Sequence, residues 1–367
     1  ALGAVRLVWG SVVGIEKGLS DYQLLGVQPD EGDPGTAVCY PLLTGPCDVG
    51  ERVLLNTTAV GLGLGTGGRH FVVARANGIE GVSFEDPSGG HIMKLRYTPL
   101  QRDVLAVESP ESPHHDVMAQ ATMLAGMPVV CCGLHSQVPL VAAAIKQRDP
   151  TLRIAYCMTD SASLALPLSE VVRASEEAGL LDATISCGQA FGGRFEAVNV
   201  HSGLLAARHV ARADVAIVGI GPGVVGTATP FGHGGVAQGE AINAVAVLGG
   251  VPIAVLRLSF ADARERHRVV SHHTLAALTS IALAPAVVAI PALPEDLAEQ
   301  VEKRLETAGV WALHKAVRST PRLGGTPDLR GVSVRTMGRG PADDPAFFSA
   351  AYAAGEVAAR IAQGESF

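Results

Sequence analysis

The chain has 367 residues, of which 48% are hydrophobic, and its formal net charge is −7. This length and composition allow two domains with sizeable cores, and the scattered charges argue against a dedicated nucleic-acid binder or a polybasic membrane-surface protein. Six cysteines are too few for a disulfide framework in a chain this long, which favours a cytoplasmic location.

The most apolar segments do not resemble membrane spans. Residues 241–256 and 278–293 are interrupted by prolines, which favours helix–turn–strand units. The first residues also lack a signal-peptide pattern. We therefore expect neither a membrane nor a nucleic acid as a partner.

The first 98 residues are predicted to form a small antiparallel β-barrel or sandwich. Short β-prone segments alternate with Gly, Pro, Asp and Asn turns, and no helical periodicity crosses them. The proline-containing segment 99–113 follows and suggests domains at 1–98 and 99–367. The predicted strands cover residues 5–13, 36–41, 52–56, 70–75 and 91–97.

From residue 114 onward, helical periods alternate with apolar strands. Strands that are apolar on both faces and alternate with helices are typical of a doubly wound, mostly parallel, Rossmann-like sheet. A long Ala-rich helix is predicted at the C-terminus, and the small residues of the late helices would suit a homodimer. The predicted strands cover residues 128–132, 153–158, 183–187, 196–200, 215–220, 253–258, 286–290 and 311–317.

A glycine-rich loop follows the predicted strand at residues 215–220. Its Gly221, Gly223 and Gly226 formally match the dinucleotide motif G-x-G-x-x-G. The next helix begins too late for that motif, and the next strand does not end in an acidic residue. The loop therefore favours a phosphate or carboxylate group, with Thr227 and backbone amides as donors.

Polar, glycine-rich or ionisable residues follow nearly every predicted strand. Because the carboxyl ends of parallel strands meet at one edge, we expect a ligand-binding cleft there. The structural alternative is that βα loops are polar in any case. The predicted ligand-binding residues are Ser136, Ser161, Ser163, Gln189, Gly221, Gly223, Gly226, Thr227, Asp262, Arg264, Arg268 and His273.

Three residues at this edge, His135, Asp160 and His272, are predicted to move protons in a reaction. Imidazole titrates near neutral pH and suits acid–base chemistry. Arg264 or Arg268 would neutralise an oxyanion, because guanidinium groups pair bidentately with such groups.

These assignments have structural alternatives. The arginines could pair with Asp262 and Glu265 in a solvated turn, and Ser161 or Ser163 could cap a helix. A single histidine is also more often a packed side chain than a catalytic one.

The histidine spacing carries no metal-binding signature. His272 and His273 are adjacent, and adjacent helical positions point about 100° apart, so the pair is not expected to chelate one ion. The sequence therefore predicts no metal site and leaves the cofactor unknown. A site assembled across strand ends, for instance from His135 and Asp160, stays open.

Several motifs are shared with a known family. They include GLHSQ, MTDSAS, CGQAFGG and GPG, at residues 133–137, 158–163, 187–193 and 221–223, and the basic segment 264–274. With residues 337–348 they resemble an uncharacterised bacterial family defined only as a domain of unknown function. The resemblance covers nearly the whole chain, implies a bacterial and cytosolic setting, and brings no assigned activity.

The sequence thus predicts recognition of a small anionic metabolite, which could be a phosphate, a carboxylate or nucleotide-like. The ligand would bind at the carboxyl edge of the parallel sheet, to an enzyme or a binder. The alternative is a non-catalytic regulatory or assembly protein that uses the same cleft or the β domain for a ligand or partner.

Overall fold

The computed structural model describes residues 5–64, 66–77, 89–319 and 328–366. The chain divides into two compact units, residues 1–89 with 95–103, and residues 90–94 with 104–367. No helix within the described ranges is long and apolar enough to cross a membrane.

The first unit contains a closed five-stranded barrel with the strand order β1-β2-β3-β5-β4. Antiparallel pairing of β1 with β4 closes the barrel, and β3 pairs with β5 in parallel. The strands are β1 (Leu7–Gly18), β2 (Gln23–Pro29), β3 (Gly35–Cys39), β4 (Arg52–Asn56) and β5 (Arg69–Arg75), with short helices α1 (Pro41–Thr44) and α2 (Thr58–Gly61).

Of the two predicted architectures for this region, the barrel is the one that forms. Alternate residues such as Val12, Leu25 and Val53 point into its core and are fully or nearly fully buried. The sequence prediction missed β2, since its internal Gly26 and terminal Pro29 are typical of a turn.

The second unit is built on an eight-stranded sheet in which every neighbouring pair is parallel. Two short strands, β6 (Ile92–Lys94) and β7 (Arg102–Val104), come before it in the sequence. Its strands are β8 (Pro128–Cys132), β9 (Ile154–Thr159), β10 (Ala183–Cys187), β11 (Phe195–Ala197), β12 (Val215–Ile220), β13 (Val251–Ala254), β16 (Val287–Ile290) and β17 (Lys315–Arg318).

Helices cover both faces of this sheet, as the prediction of a doubly wound fold requires. One face packs against α4, α5 and α10, and the other against α3, α6, α7 and α9. The helices are α3 (His115–Gln120), α4 (Val138–Arg148), α5 (Glu170–Glu177), α6 (Val200–His209), α7 (Ala237–Val247), α8 (His272–Ala276), α9 (Glu295–Thr307) and α10 (Pro345–Ala362).

The strand order, β11-β10-β9-β12-β8-β13-β16-β17, reverses direction near its middle. The chain leaves β8 toward β11, returns to insert β12 between β9 and β8, and then continues toward β17. Open α/β sheets bind ligands at such a reversal, outside the carboxyl ends of the strands.

Two elements near this edge differ from the prediction. The strand expected at residues 253–258 ends at Ala254, and β14 (Leu258–Ser259) instead pairs antiparallel with β15 (Val269–Val270). The helical pattern of the sequence predicts one helix over residues 272–283, whereas the structure has the short α8 followed by a π-helical turn, Ala277–Ile281. Helix α7 lies close to this turn. A Cβ at Gly239 would lie only 2.6 Å from the Ala277 carbonyl oxygen.

The small residues of α10 are used within the chain, where this helix packs on α4. A Cβ at Gly355 would lie 2.4 Å from the Val141 carbonyl oxygen and 2.8 Å from the Ala144 Cβ. These contacts are too short for any side chain. Close packing of α10 and α4 therefore depends on glycine at position 355.

Replacing Gly355 with alanine should destabilise the second unit by about 1–3 kcal/mol through overpacking. Helix propensity alone predicts the opposite sign, since alanine favours a helix over glycine by up to about 1 kcal/mol. The chain has two tryptophans, Trp9 and Trp311, so urea unfolding in a Trp9→Phe background follows the second unit through Trp311 fluorescence. Equal or higher stability of Gly355→Ala would contradict the packing argument.

Candidate functional site

A cleft of about 300 Å³ lies at the carboxyl edge of the sheet. It is bounded by the ends of β9 and β10 and by the first turns of α6 and α7. The lining combines carboxylates, a hydroxyl, an amide and an imidazole, which suits a polar ligand bearing hydroxyl or amino groups. Its polar side chains include Asp160, Ser161, Asn199, His201 and Glu240.

Two predicted site residues, Asp160 and Gln189, meet beside this cleft. The Gln189 backbone N–H donates to Asp160 Oδ2 at 2.8 Å. Gly188 between β10 and Gln189 has φ +67°, and a Cβ there would lie only 2.2 Å from Asp160 Oδ2. Glycine at this position is therefore what allows the loop to pass under the carboxylate.

His135, predicted to move protons, is buried and fully engaged with the protein. Its Nδ1 lies 3.2 Å from the Ile220 carbonyl oxygen, to which it donates, and its Nε2 lies 2.6 Å from the Ser169 hydroxyl. Burial lowers the pKa of His135 to about 4. This geometry favours a structural role for His135 over the predicted catalytic one.

The serines at this edge are also engaged differently from the helix-cap alternative. The cap of α5 is Ser169, whose Oγ accepts the Val172 N–H at 3.1 Å. Ser163 Oγ donates to the Ala165 carbonyl at 3.4 Å, while Ser161 is exposed in the cleft and Ser136 is half-buried. Of the predicted serines, Ser161 is the one that lines the cleft.

The glycine-rich loop folds back on itself. Gly226 pairs antiparallel with His233, and the Thr227 hydroxyl donates to the Gly232 carbonyl at 2.9 Å. The predicted hydroxyl donor Thr227 is thus used inside the loop. Gly221 and Gly223 are part of the same loop, in which Gly223 adopts a positive φ of +91°.

This loop brings an imidazole to the residues that follow β15. A Cβ at Gly235 would lie 2.8 Å from His273 Cβ and 3.0 Å from His233 Nδ1. A Cβ at Gly226 would lie 3.4 Å from His273 Nε2. The glycines therefore make room for histidine rings at this edge.

Four histidines pack together here, and we call His233, His267, His272 and His273 the histidine cluster. The His233 and His273 rings stack with centroids 3.8 Å apart and planes 5° apart. His272 lies 4.5 Å from His273 and 5.1 Å from both His233 and His267. His233, His267 and His273 are buried, and His272 is half-buried.

The His272 and His273 rings lie close together although the two residues are adjacent in the sequence. They occupy the first turn of α8, which Ser271 caps by accepting the His273 N–H at 3.3 Å. His233 from the glycine-rich loop contacts both rings. Sequence spacing missed this convergence because the third histidine lies about 40 residues upstream in the chain.

Hydrogen bonds of two rings in the cluster, His233 and His267, bear on which ring nitrogen carries the proton. His233 Nε2 lies 3.0 Å from the Pro230 carbonyl oxygen, so it donates and leaves Nδ1 unprotonated. His233 Nδ1 and His272 Nε2 are buried and have no hydrogen-bond partner among the described residues. His267 Nδ1 pairs with the Ser271 hydroxyl at 2.7 Å.

Arg257 is 5% exposed and donates through Nη1 to His273 Nδ1 at 3.2 Å. Within the described parts of the chain, no carboxylate forms an ion pair with its guanidinium. The carboxylate that influences it, Asp262, pairs with Arg264 and Arg339 instead. Burial, followed by repulsion from Arg264, lowers the pKa of Arg257 to about 10.

The same surroundings keep the imidazoles neutral. Burial lowers the pKa of His273 to about 2, and repulsion from His233 and Arg257 adds to the effect. Burial and the Arg257 charge lower the pKa of His267 to about 3. The pKa values of His233 and His272 are lowered too, mainly by burial.

A buried ionic network holds the basic segment in place. Asp262 accepts from Arg264 Nε at 3.0 Å, from Arg264 Nη2 at 2.9 Å and from Arg339 at 3.2 Å. Asp344 accepts from Arg339 at 3.0 Å and from the Ser259 hydroxyl at 2.7 Å. The Arg264 hydrogen bonds hold the pKa of Asp262 well below its usual range, although burial of the carboxylate acts in the opposite direction.

This network realises the structural alternative for Arg264, which pairs with Asp262 as that alternative stated. Arg268, the other predicted anion partner, is exposed. The predicted ligand residues Asp262 and Arg264 therefore pair with each other and support the basic segment.

Sequence reasoning passed over His233 and Arg257 as ligand residues. His233 was not selected because the prediction for this loop considered its glycines and Thr227 only. Arg257 lies inside the predicted strand 253–258, where a charged residue after an apolar segment is itself a signal. Arg339, far along the chain, gave no local signal.

The fold and site define a protein with a β-barrel unit and a doubly wound α/β unit whose polar loops share one edge. The family model described as "Protein of unknown function (DUF3866)" matches residues 36–355, so the chain belongs to that family. The predicted resemblance to a domain of unknown function is thereby confirmed. No curated protein matches the chain, and no solved structure matches it.

The buried, neutral His135 should make the second unit lose stability in mild acid. Its pKa is about 4 in the folded protein, against an ordinary value of 6.5, so the unfolded chain binds a proton first as the pH falls. The resulting loss should reach about 2 kcal/mol between pH 7 and pH 5. Urea unfolding by Trp311 fluorescence at both pH values measures it.

The comparison is with His135→Gln, which should lack this part of the pH dependence. His209, exposed on α6, provides the control, and His209→Gln should keep the wild-type pH dependence. An unchanged pH dependence in His135→Gln would contradict the assigned state of this ring.

Proposed function

We propose that the protein recognises a small anionic metabolite at the carboxyl edge of its parallel sheet, with the anionic group at Arg257. The observation that carries the proposal is the buried Arg257 guanidinium, which has no carboxylate partner in the described structure. Burying a charge without a counter-charge is unfavourable by several kcal/mol. A bound phosphate or carboxylate would remove that penalty.

The surrounding charges favour an anion over other ligands. Arg264 and Arg339 lie close enough to lower the pKa of Arg257, and Arg266 contributes as well. Asp262 offsets part of this charge but is committed to two arginines. A guanidinium presents donors in a fork that fits two oxygens of one oxyanion.

The neighbouring cleft would hold the uncharged part of the same molecule. Asp160 and Glu240 would repel an anion there, whereas they accept hydrogen bonds from hydroxyl or amino groups. The glycine-rich loop reaches the cleft at Gly234, where an added Cβ would lie 3.4 Å from the Ser161 carbonyl oxygen. A sugar-phosphate-like or nucleotide-like metabolite combines both chemistries.

The six cysteines support a cytoplasmic setting for this activity. All six are free and buried. Chains of reducing compartments keep their thiols in this form. We infer a bacterial setting from the resemblance noted in the sequence.

Recognition alone does not separate an enzyme from a sensor. The histidine cluster could transfer protons in a reaction or bind a metal ion, but one ring nitrogen cannot do both at once. A non-catalytic binder would use Arg257 and leave the imidazoles as packing. The role of the cluster therefore decides between the two classes.

Replacing Arg257 with methionine should abolish stabilisation by anions and leave the fold intact. Methionine matches the arginine stem in length, and exchanging a buried charge for an apolar group is often neutral or stabilising. Thermal unfolding with inorganic phosphate, pyrophosphate or citrate, at constant ionic strength and with a chelator, measures the effect. An anion at 100 times its Kd stabilises by about 2.7 kcal/mol.

The matched control is Arg153→Met at the opposite edge of the sheet, where Arg153 donates to the Ala211 carbonyl. This variant should keep the wild-type response to anions. Equal anion responses in wild type and Arg257→Met would overturn the proposal, as would the absence of any response from wild type to all three anions.

A further inference from the structure

We propose that His233, His272 and His273 bind a divalent transition-metal ion of the zinc class. One ring nitrogen from each residue can be chosen so that all three lie within 4.8 Å of one another. Tetrahedral zinc holds its imidazole nitrogens about 3.4 Å apart, given bonds of about 2.0–2.1 Å. Small side-chain rotations would therefore close the set around an ion.

The second observation is the pair of unsatisfied nitrogens inside the cluster. Both His233 Nδ1 and His272 Nε2 are buried, and within the part of the chain that the structure describes neither has a hydrogen-bond partner. Leaving a buried polar atom without a partner is unfavourable, so two such nitrogens side by side favour a bound ligand at this place. For the unprotonated His233 Nδ1, that ligand must be a proton donor or a metal ion.

The outer contact of His233 also fits a metal ligand. Its Nε2 donates to the Pro230 carbonyl at 3.0 Å. Metal-binding histidines commonly donate their second nitrogen to a carbonyl or carboxylate, which fixes the tautomer and the ring orientation. The glycine-rich loop thus supplies both the histidine and the acceptor that orients it.

Ring orientation identifies what must move when an ion binds. The His233 and His273 planes are 5° apart and stacked, so their in-plane lone pairs cannot meet at one point. His272 is inclined by 67° to His233 and by 63° to His273. A turn of one stacked ring about its final side-chain torsion, which is a soft rotation, would bring the lone pairs together.

Arg257 sets the charge balance of the site. Its guanidinium repels a cation and donates to His273. Three histidines leave one coordination position open in a tetrahedral site, as in catalytic zinc centres. We expect hydroxide or an anion in that position, where its charge would offset both the metal and Arg257. The metal site itself does not require the anionic metabolite proposed above.

Titration of the metal-free protein with Co²⁺ tests the site, because visible absorption reports cobalt bound by imidazoles in a tetrahedral arrangement. One Co²⁺ should bind per chain and be displaced by Zn²⁺. His233→Asn and His272→Asn should each weaken Co²⁺ binding at least tenfold, and metal content after dialysis should fall accordingly. The matched control is His209→Asn on α6, which should bind like wild type.

Several outcomes would overturn the metal site. These are the absence of Co²⁺ binding to wild type, or equal binding in wild type and a folded His272→Asn variant. His272 is half-buried, so this variant keeps the test valid if His233→Asn fails to fold. Arg257→Met should keep metal binding or tighten it. Loss of the anion response with retained Co²⁺ binding would therefore separate this inference from the proposed function.

Discussion

The parallel direction of all eight strands is the constraint on which the site depends. It brings the loops after β9, β10, β12 and β13 to one edge, although they lie as far apart in sequence as residues 160 and 262. The insertion of β12 between β9 and β8 then places the glycine-rich loop where the strand order reverses. The loop has glycines, Gly226 and Gly235, where its backbone comes closest to the histidine rings. This allows His233 to stack on His273. Sheet direction and glycine together therefore concentrate imidazoles and guanidinium groups in one place.

The second feature on which the candidate site depends is a buried ionic network that holds its arginines. Asp262 and Asp344 are buried and bind Arg264, Arg339 and Ser259. Asp344 is the residue directly before α10, so the C-terminal helix and the basic segment after β14 are joined by one network. This network pairs Arg264 and Arg339, whereas Arg257 has no carboxylate partner among the residues that the structure describes. Under the proposed function, an anionic ligand would supply that negative charge.

The fold was largely predictable from the sequence, since strands such as Pro128–Cys132 and Val215–Ile220 are apolar throughout and are bounded by clear turns. The long Ala-rich helix predicted at the C-terminus is also present, as Pro345–Ala362. For the candidate site, the sequence predicted only its location, at the carboxyl edge of the parallel sheet. Local patterns locate Asp160 and His272 but carry no information on which side chains converge. His135 was therefore predicted to move protons and Arg264 to bind the ligand, although protein groups already bind both side chains. Arg257 and His233 acquire their importance through burial and three-dimensional contacts, which spacing does not encode.

The most direct test of the central claim is a crystal structure of the wild-type protein grown with selenate, whose selenium gives an anomalous signal. We expect an oxyanion peak within hydrogen-bonding distance of the Arg257 guanidinium, beside the histidine cluster and at the carboxyl edge of the sheet. An Arg257 side chain paired with a protein carboxylate, or turned into solvent with no anion nearby, would contradict it.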